Sequence, residues 1–320
     1  FLLQSPIDDH VKKFQKVYFE SLSSEIKLIS RIINYASKNK GKQLRPRLCL
    51  LSACLCGDPN DNTYKAASLI EMIHVATLIH DDVVDESEIR RGWPSINRIW
   101  KSKLSILIGD YMFAKSLSNM IELRNFNALE VLSKTAERLS KGEISQIGKA
   151  IKKNMSEEEY YKMVSDKTAS LFSASCEIGA LTVVDDEEKC NSLSRFGEKF
   201  GLVFQIKDDL LDITGNVAGL GKPAGFDLKK NMLTLPLIYI FNKLDSKNVR
   251  KIKYQLNKYI KKSELNKIRA IIEQNGGIDF AKNRIEELSN EAIDDLNIFP
   301  DSKYKSALIE ALNFNISRTR

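Results

Sequence analysis

Residues that bend or interrupt a chain are scarce in this sequence. Glycine (15) and proline (7) make up about 7% of the 320 residues, whereas average usage is roughly 12%. So few breakers argue against a β-sandwich or a barrel, which needs many tight turns. Helical periodicity dominates the chain, without an alternating strand pattern or a repeat of solenoid length. We therefore expect an all-α protein.

Cysteine and histidine are also rare. The five cysteines form no paired CxxC motifs, and the three histidines are not spaced for a zinc site. An odd number of cysteines in a long chain favours reduced thiols. We expect a cytoplasmic location, with an organelle matrix as the alternative because the sequence begins at Phe1 rather than at a methionine.

Long apolar runs are missing as well. The longest, residues 233–241, contains a proline and is far shorter than the ~20 residues of a membrane-spanning helix. The net charge of +7 comes from lysines interleaved with acids, and no stripe of basic and aromatic residues indicates nucleic acid. We expect no transmembrane segment, no nucleic-acid partner and at most weak association with anionic membranes.

Two segments predict features of the fold. Residues 67–85 place apolar side chains in nearly every direction around a helix, which is typical of a helix buried at the centre of a bundle. Four glycines within residues 215–225 predict a loop that can close as a lid. The motifs described below make chemical sense only if they converge on one cavity, so we expect a single domain over residues 1–320.

A helix start is marked before the third quarter of the chain. Ser156 followed by Glu159 forms a capping box and predicts a helix over residues 160–179. The apolar stripe of this helix would consist of Met163, Ala169 and Phe172. After about residue 246 the chain is rich in lysine, which predicts peripheral amphipathic helices.

An acidic cluster ends the central apolar helix. Asp81 and Asp85 are one turn apart, about 6 Å along the helix axis, and Asp82 is adjacent to Asp81. Carboxylates this close repel one another unless a cation neutralises them. Hard oxygen ligands favour Mg²⁺, which takes one or two protein carboxylates together with substrate phosphates. For one such cluster alone, a solvated helix end is the commoner explanation.

A second cluster repeats the pattern. Asp208, Asp209 and Asp212 have the same spacing and also lie in an apolar helical segment. Two equivalent carboxylate faces in one helical chain predict that the clusters oppose across a cavity and hold several Mg²⁺ with a phosphate substrate. Cations suited to phosphate oxygens lie at turns, although each by itself is more often a surface residue. They are Lys42, Arg45, Arg90, Arg91 and Lys222.

Seven motifs extend over most of the chain. They are GKQLRPR (41–47), HVATLIHDDVVDESEIRRG (74–92), GDYMFA (109–114), KGEISQ (141–146), KTASLF (167–172), FQIKDDLLD (204–212) and GKPAGFDL (221–228). In this order they resemble the trans (E-type) polyprenyl diphosphate synthase family, most closely its long-chain, octaprenyl-like members. The resemblance implies the all-α isoprenoid synthase fold, with a central cavity between two aspartate-rich helices.

The resemblance also implies a role for each polar motif residue. Three Mg²⁺ would be bound by the six aspartates Asp81, Asp82, Asp85, Asp208, Asp209 and Asp212, which together with Lys167 carry catalysis. The allylic diphosphate would contact Arg90, Lys167, Gln205 and Lys222, with Thr168 in the same KT pair. Isopentenyl diphosphate would contact Lys42, Arg45, His74 and Arg91. Where the family has a further diphosphate-binding lysine this chain has Met232, so affinity for the allylic substrate is the property in question.

The implied reaction joins isopentenyl diphosphate to an allylic diphosphate, head to tail and in trans geometry, without a protein base. Ala76 and Thr77 are small and lie one turn before Asp81, whereas bulky residues at these positions accompany short products in the family. We therefore predict a long-chain polyprenyl diphosphate for quinone side chains, unless Met112 or Phe113 stops the chain earlier. The resemblance further implies a homodimer.

Three alternatives stay open. A shorter-chain farnesyl or geranylgeranyl diphosphate synthase has the same chemistry, and Ala76 argues against it. A terpene cyclase uses an aspartate-rich motif with Mg²⁺ but is not expected to carry a second complete cluster with Lys42 and Arg45. A non-catalytic subunit of a heteromeric synthase usually lacks metal-binding aspartates, and all six are present here.

Overall fold

The computed structural model describes residues 6–38, 41–152, 154–214, 232–256 and 262–318. These residues form two compact units that alternate along the chain. The first comprises the described residues of Phe1–Lys134, Leu171–Gly197 and Asp295–Ala311, and the second those of Thr135–Ser170, Glu198–Asp294 and Leu312–Arg320. The single domain over residues 1–320 stays a prediction.

Helices make up nearly all of the described chain, which confirms the all-α prediction. The first six are α1 (Asp8–Ser21), α2 (Lys27–Lys38), α3 (Leu44–Cys56), α4 (Asp61–Val84), α5 (Ile96–Glu122, with a break at Lys101) and α6 (Phe126–Lys152). The later ones are α7 (Glu157–Val164), α8 (Ser170–Leu181), α9 (Glu187–Thr214), α10 (Leu235–Lys243), α11 (Ser246–Leu256), α12 (Lys262–Gln274), α13 (Gly277–Asp295) and α14 (Lys303–Ser317). Within the described ranges the only strands are β1 (Ile89–Arg90) and β2 (Trp93–Pro94), an antiparallel pair.

Helix α4 carries the first aspartate cluster at its C-terminal end. The side chain of Asn60 caps the start of α4 by accepting hydrogen bonds from the N–H groups of Asn62 and Thr63. Every residue from 66 to 73 is buried, which confirms the predicted burial on all sides for the first part of residues 67–85. From 74 to 85 only Ala76, Ile79 and Asp82 are buried, because the last turns of α4 carry the polar cluster. Helix α4 packs chiefly on α5 and also on α1 and α3. Because each buried leucine or isoleucine contributes about 1.5–3 kcal/mol, this packing fixes where the acidic end of α4 lies.

The predicted helix over residues 160–179 is interrupted. The capping box of Ser156 and Glu159 is present at the start of α7, but Ser165–Ala169 forms a π-helical turn before α8 begins. A π turn inserts one residue into the helical ladder and rotates the faces that precede it. Val164 is therefore buried in place of Met163, which is only partly buried, whereas Ala169 and Phe172 are buried as predicted.

A glycine in α6 makes room for this π turn. A Cβ atom added to Gly142 would lie 2.4 Å from the backbone nitrogen and 2.7 Å from the Cα atom of Lys167. Both are backbone atoms within the π turn, so no side-chain rotation can relieve the clash. Gly148, two turns further along the same helix, has no atom within 4 Å of an added Cβ.

These two glycines give a matched test of the packing. Gly148→Ala is expected to raise the free energy of unfolding by up to about 1 kcal/mol, because alanine favours the helix. Gly142→Ala should instead lower it by about 1–3 kcal/mol, the usual effect of overpacking. Urea unfolding of both variants measures the difference. Equal stability of the two variants would contradict the close approach of α6 to the π turn.

Candidate active site

In the first unit, Asp82 is held by an arginine of the hairpin. The Asp82 residue is 4% exposed. Nε of Arg90 donates to Oδ1 and Oδ2 of Asp82 at 2.8 and 2.9 Å, and Nη2 lies 2.6 Å from Oδ1. Removing one partner of a buried pair of this kind typically costs about 3–5 kcal/mol, because the other charge is left uncompensated. Asp82 and Arg90 therefore fix each other at the end of α4.

The other two aspartates of this cluster are only partly buried. The N–H group of Asp85 donates to the carbonyl of Asp81 at 2.8 Å, so both carboxylates lie at the last turn of α4. A helix C-terminus carries partial negative charge, which disfavours acids there. The last turn of α4 contains no basic residue. Asp81 and Asp85 are therefore a place where an added cation would be stabilised.

The hairpin turn places Arg91 under strain. Arg91 and Gly92 are the two central residues of the turn, with φ angles of 51° and 80°. A two-residue hairpin turn of type I′ requires a positive φ at both of these positions. The left-handed conformation suits glycine but costs another residue about 1–2 kcal/mol. The guanidinium of Arg91 lies against Gly41, where an added Cβ would be 2.5 Å from Nη2. Strain of this kind is common at functional sites.

Arg45 lies beside His74 in the first unit. Nη1 of Arg45 donates to Nε2 of His74 at 3.3 Å, and the guanidinium carbon lies 4.0 Å from the centre of the Phe172 ring. Burial lowers the pKa of His74 well below its usual value, and the charges of Arg45, Arg91 and Arg90 lower it further. Because arginine can only donate, Nε2 of His74 is the acceptor and the imidazole is neutral.

A buried acid, Glu71, faces the same cations. Glu71 is 7% exposed, and burial raises its pKa to about 7, against the opposing charges of Arg45 and Arg91. It lines a cavity of the first unit that also contains predicted site residues. Among the lining residues are Gly41, Val75, Asp82, Arg90 and Arg91.

The remaining predicted residues of this unit differ in exposure. Lys42 is exposed, and Ala76 is 1% exposed. The hydroxyl of Thr77 donates to the carbonyl of His74 at 2.8 Å. Met112, the predicted alternative stop for the product, is also 1% exposed. Ala76 is thus tightly surrounded, so a larger side chain must displace its neighbours.

In the second unit, Asp209 is held by two donors. Asp209 is 4% exposed. The hydroxyl of Tyr160 donates to its Oδ2 at 2.6 Å, and Nε2 of Gln205 donates to its Oδ1 at 2.9 Å. The hydroxyl of Thr168 donates to Oε1 of Gln205 at 3.0 Å. This series of hydrogen bonds links the π turn to the second aspartate cluster.

Asp208 and Asp212 are partly buried, as are Asp81 and Asp85 of the first cluster. Nη2 of Arg318 lies 2.7 Å from Oδ1 of Asp208 and donates to the carbonyl of Phe204 at 2.8 Å. Nη2 of Arg269 donates to the backbone carbonyl of Asp212 at 3.2 Å. The last turn of α9 has no basic residue of its own; Arg318 follows the end of α14, and Arg269 lies in α12.

Lys167 points from the π turn to an acid of α6. It forms an ion pair with Glu143, and both side chains are partly buried. Nε2 of Gln146 donates to the sulfur of Met232 at 3.4 Å. The predicted phosphate ligand Lys222 and the predicted lid at residues 215–225 lie outside the described residues.

Three contacts escaped prediction from the sequence. Glu143 lies inside the KGEISQ motif, so the motif could have indicated that this residue contributes to the site beside Lys167. Tyr160 lies seven residues before Lys167, about two helical turns, and helical spacing gives a weaker signal. Arg318 comes from the far end of the chain, and no local pattern links it to Asp208. That the two aspartate clusters face one cavity stays a prediction.

The donor set fits Mg²⁺ that arrives with a phosphate ligand. Among the described residues, no group of three or more His, Cys, Asp or Glu side chains is placed to hold a metal ion by itself. Each cluster nevertheless presents two partly buried carboxylates at a helix end. Mg²⁺ commonly takes one or two carboxylates and completes its shell with water and substrate phosphates. Oxygen ligands in this number suit it.

Comparison with known proteins agrees with these features. Residues 26–274 match the family model described as polyprenyl synthetase. The chain is 30% identical to the octaprenyl diphosphate synthase of Haemophilus influenzae, over 99% of this chain and 96% of that protein. It is 32% identical to the all-trans-nonaprenyl-diphosphate synthase (geranyl-diphosphate specific) of Rhodobacter capsulatus, over 98% and 96% of the two chains.

A solved structure has the same fold. A polyprenyl synthase from Caulobacter crescentus, complexed with calcium and isoprenyl diphosphate, superposes with a TM-score of 0.92 at 30% identity, covering 98% of this chain and 96% of that one. The all-α isoprenoid synthase fold implied by the motifs is thereby confirmed. In the described part of the chain, no helix has the length and apolar character needed to cross a membrane.

The lowered pKa of His74 gives a test by pH. The unfolded chain takes up a proton at this residue as the pH falls through about 6.5, whereas the folded chain does not, so the free energy of unfolding decreases with falling pH. His74→Gln keeps an acceptor for Arg45 but removes this proton uptake. Between about pH 7.5 and 5.5 the variant should lose about 1 kcal/mol less stability than the wild type in urea unfolding. An equal loss would show that His74 is protonated in the folded protein.

Proposed function

The chain belongs to the polyprenyl synthetase family and is a long-chain trans-polyprenyl diphosphate synthase, and we propose that it condenses isopentenyl diphosphate with an allylic diphosphate in the presence of Mg²⁺. One observation carries this proposal. In each cluster the central aspartate is buried and held by protein donors, while its two neighbours are only partly buried. Such carboxylates suit a cation that brings a phosphate ligand.

We assign the two clusters of aspartates to three Mg²⁺. Asp81, Asp85, Asp208 and Asp212, which are only partly buried, would contact the ions, and Asp82 and Asp209 would hold their clusters in place. When bound, Mg²⁺ stabilises the negative charge that develops on the departing diphosphate. The calcium and isoprenyl diphosphate in the Caulobacter protein support a divalent cation used together with a prenyl diphosphate.

The cations of the chain bind and orient the two substrates. Arg90 and Lys167, with Gln205, Thr168 and Lys222, are assigned to the allylic diphosphate. Lys42, Arg45, His74 and Arg91 are assigned to isopentenyl diphosphate. Arginine is suited to this because its planar fork matches phosphate oxygens.

The chemistry needs no nucleophile from the chain. The allylic carbon–oxygen bond breaks, the double bond of isopentenyl diphosphate attacks that carbon, and the diphosphate released takes up the proton that is lost. Cations placed where charge develops lower the barrier without moving during the reaction. The neutral imidazole of His74, hydrogen bonded to Arg45, is assigned to binding rather than to proton transfer.

We further propose that the product supplies quinone side chains and is made in the cytoplasm or in an organelle matrix. Homodimer formation is part of the same proposal. Ile144, Ile147 and Ile151 are 70%, 41% and 75% exposed on one face of α6. An exposed apolar row of this kind often marks a protein interface. Sedimentation of the purified chain should give twice the mass of one chain, and a monomer would remove this part of the proposal.

Product analysis tests the proposed reaction. The purified chain is incubated with Mg²⁺, labelled isopentenyl diphosphate and farnesyl diphosphate, and the products are read by mass spectrometry. We expect long polyprenyl diphosphates. Asp81→Ala and Asp208→Ala should each lower turnover by at least about a hundredfold, since each removes a cation ligand. Asp208→Ala should also lower the thermal stability, because it leaves Arg318 without its ion pair to Asp208.

The matched control for these variants is Asp301→Ala, because the side chain of Asp301 is fully exposed. It should turn over as the wild type does. Near-normal rates in Asp81→Ala would remove the metal assignment. Products no longer than geranylgeranyl diphosphate would favour the shorter-chain alternative. No product with any starter would favour a subunit that needs a partner, and would direct attention to Met232.

The side chain at position 76 tests product length. Ala76→Phe should shorten the products without abolishing turnover, because the added ring occupies space one turn before Asp81. The smaller variant Ala76→Val serves as a graded control and keeps the test useful if the larger one is unstable, since overpacking a buried site costs about 1–3 kcal/mol. Unchanged product lengths in folded variants would show that the growing chain extends elsewhere.

A further inference from the structure

Tyr160 belongs to a series of buried and partly buried hydrogen bonds in the second unit. It is 1% exposed and donates its hydroxyl proton to Oδ2 of Asp209 at 2.6 Å. The other oxygen of Asp209 accepts from Gln205, and Gln205 in turn accepts from Thr168. Helix α7 is therefore linked directly to Asp209 of helix α9, and the π turn is linked to Asp209 through Gln205.

The direction of each bond in this series is fixed. An ionised carboxylate only accepts, so the amide nitrogen of Gln205 must face Asp209 and its oxygen must face Thr168. Removing a hydrogen-bond donor from a buried carboxylate is unfavourable. Without the hydroxyl of Tyr160, the Asp209 side chain loses a contact that fixes its rotamer. The orientation of Gln205, which donates to Asp209, is then less well fixed.

Two residues of this series are next in the chain to residues that we assign to Mg²⁺ or to the allylic diphosphate. Asp208 precedes Asp209 in α9, and Lys167 precedes Thr168 in the π turn. Tyr160 is linked to both of these residues through Asp209 and its partners.

We propose that Tyr160 is a positioning residue of the synthase, which holds Asp209 so that the second aspartate cluster and the Lys167–Thr168 pair keep the geometry needed for Mg²⁺ and the allylic diphosphate. This inference rests on the proposed function. It predicts an effect on metal and allylic substrate, and none on isopentenyl diphosphate, whose assigned ligands belong to the first unit.

The chain offers a matched control next to Tyr160. Tyr161 is in the same helix, and its ring packs edge-on against Tyr160 with centroids 5.6 Å apart. Its hydroxyl accepts from Nε of Arg284 at 3.2 Å and has no contact with Asp209. Tyr160→Phe and Tyr161→Phe therefore remove the same atom from neighbouring residues, and only the first removal affects the series.

The experiment measures two quantities in both variants. The first is the affinity for Mn²⁺ in the presence of inorganic pyrophosphate, by electron paramagnetic resonance, which needs no turnover. The second is the pair of KM values for the two diphosphates. Tyr160→Phe should weaken Mn²⁺ binding and raise the allylic KM by roughly tenfold, with the KM for isopentenyl diphosphate unchanged. Tyr161→Phe should behave as the wild type does.

A double variant shows whether Tyr160 acts through Asp209. Tyr160→Phe combined with Asp209→Asn should bind Mn²⁺ no more weakly than Asp209→Asn alone. Additive losses, or identical Mn²⁺ affinity in Tyr160→Phe and Tyr161→Phe, would overturn the inference. Absence of turnover in the wild type would instead contradict the proposed function, while Mn²⁺ binding would still decide the role of Tyr160.

Discussion

Repulsion between carboxylates at the ends of two helices is the constraint on which the rest of this structure depends. Both helices end in closely spaced aspartates, where the helix dipole adds to the negative charge. In each cluster the central aspartate is buried and accepts from a donor of another element, Arg90 for Asp82 and Tyr160 for Asp209. The flanking aspartates are left partly open. The partly buried neighbours are the carboxylates that we propose to bind a cation together with its phosphate ligand.

The local irregularities of the backbone follow from the same requirement. Arg91 adopts a left-handed conformation in the hairpin turn, and Gly41 leaves space for its guanidinium. The π turn that carries Lys167 lies against Gly142. Both the left-handed arginine and the π turn are irregular pieces of backbone. Each places a cation assigned to a diphosphate, so strain and close approach occur where the chemistry needs charge to be held in place.

Much of the fold followed from the sequence, and so did the position of both aspartate clusters near helix ends. The burial of residues 66–73 of α4 on all sides came from their apolar pattern, and the capping box at Ser156 marked the start of α7 correctly. The π turn could not be predicted, because it depends on the packing of Gly142 against it and not on any local pattern. The contact of Arg318 with Asp208 joins distant parts of the chain, and the hydroxyl of Tyr160 finds Asp209 only once α7 and α9 are packed. Hydrophobic periodicity describes one helix at a time, so it cannot predict contacts between side chains of different helices.

The most direct test of the central claim is a crystal structure of the protein grown with Mn²⁺ and a non-reactive thiolo analogue of an allylic diphosphate, with the metal located by its anomalous scattering. We expect Mn²⁺ at both clusters, bound by Asp81 or Asp85 in the first and by Asp208 or Asp212 in the second. Arg90 and Tyr160 should still hold Asp82 and Asp209. A diphosphate bound with no metal at either aspartate cluster would contradict the claim that these carboxylates exist to bind a cation.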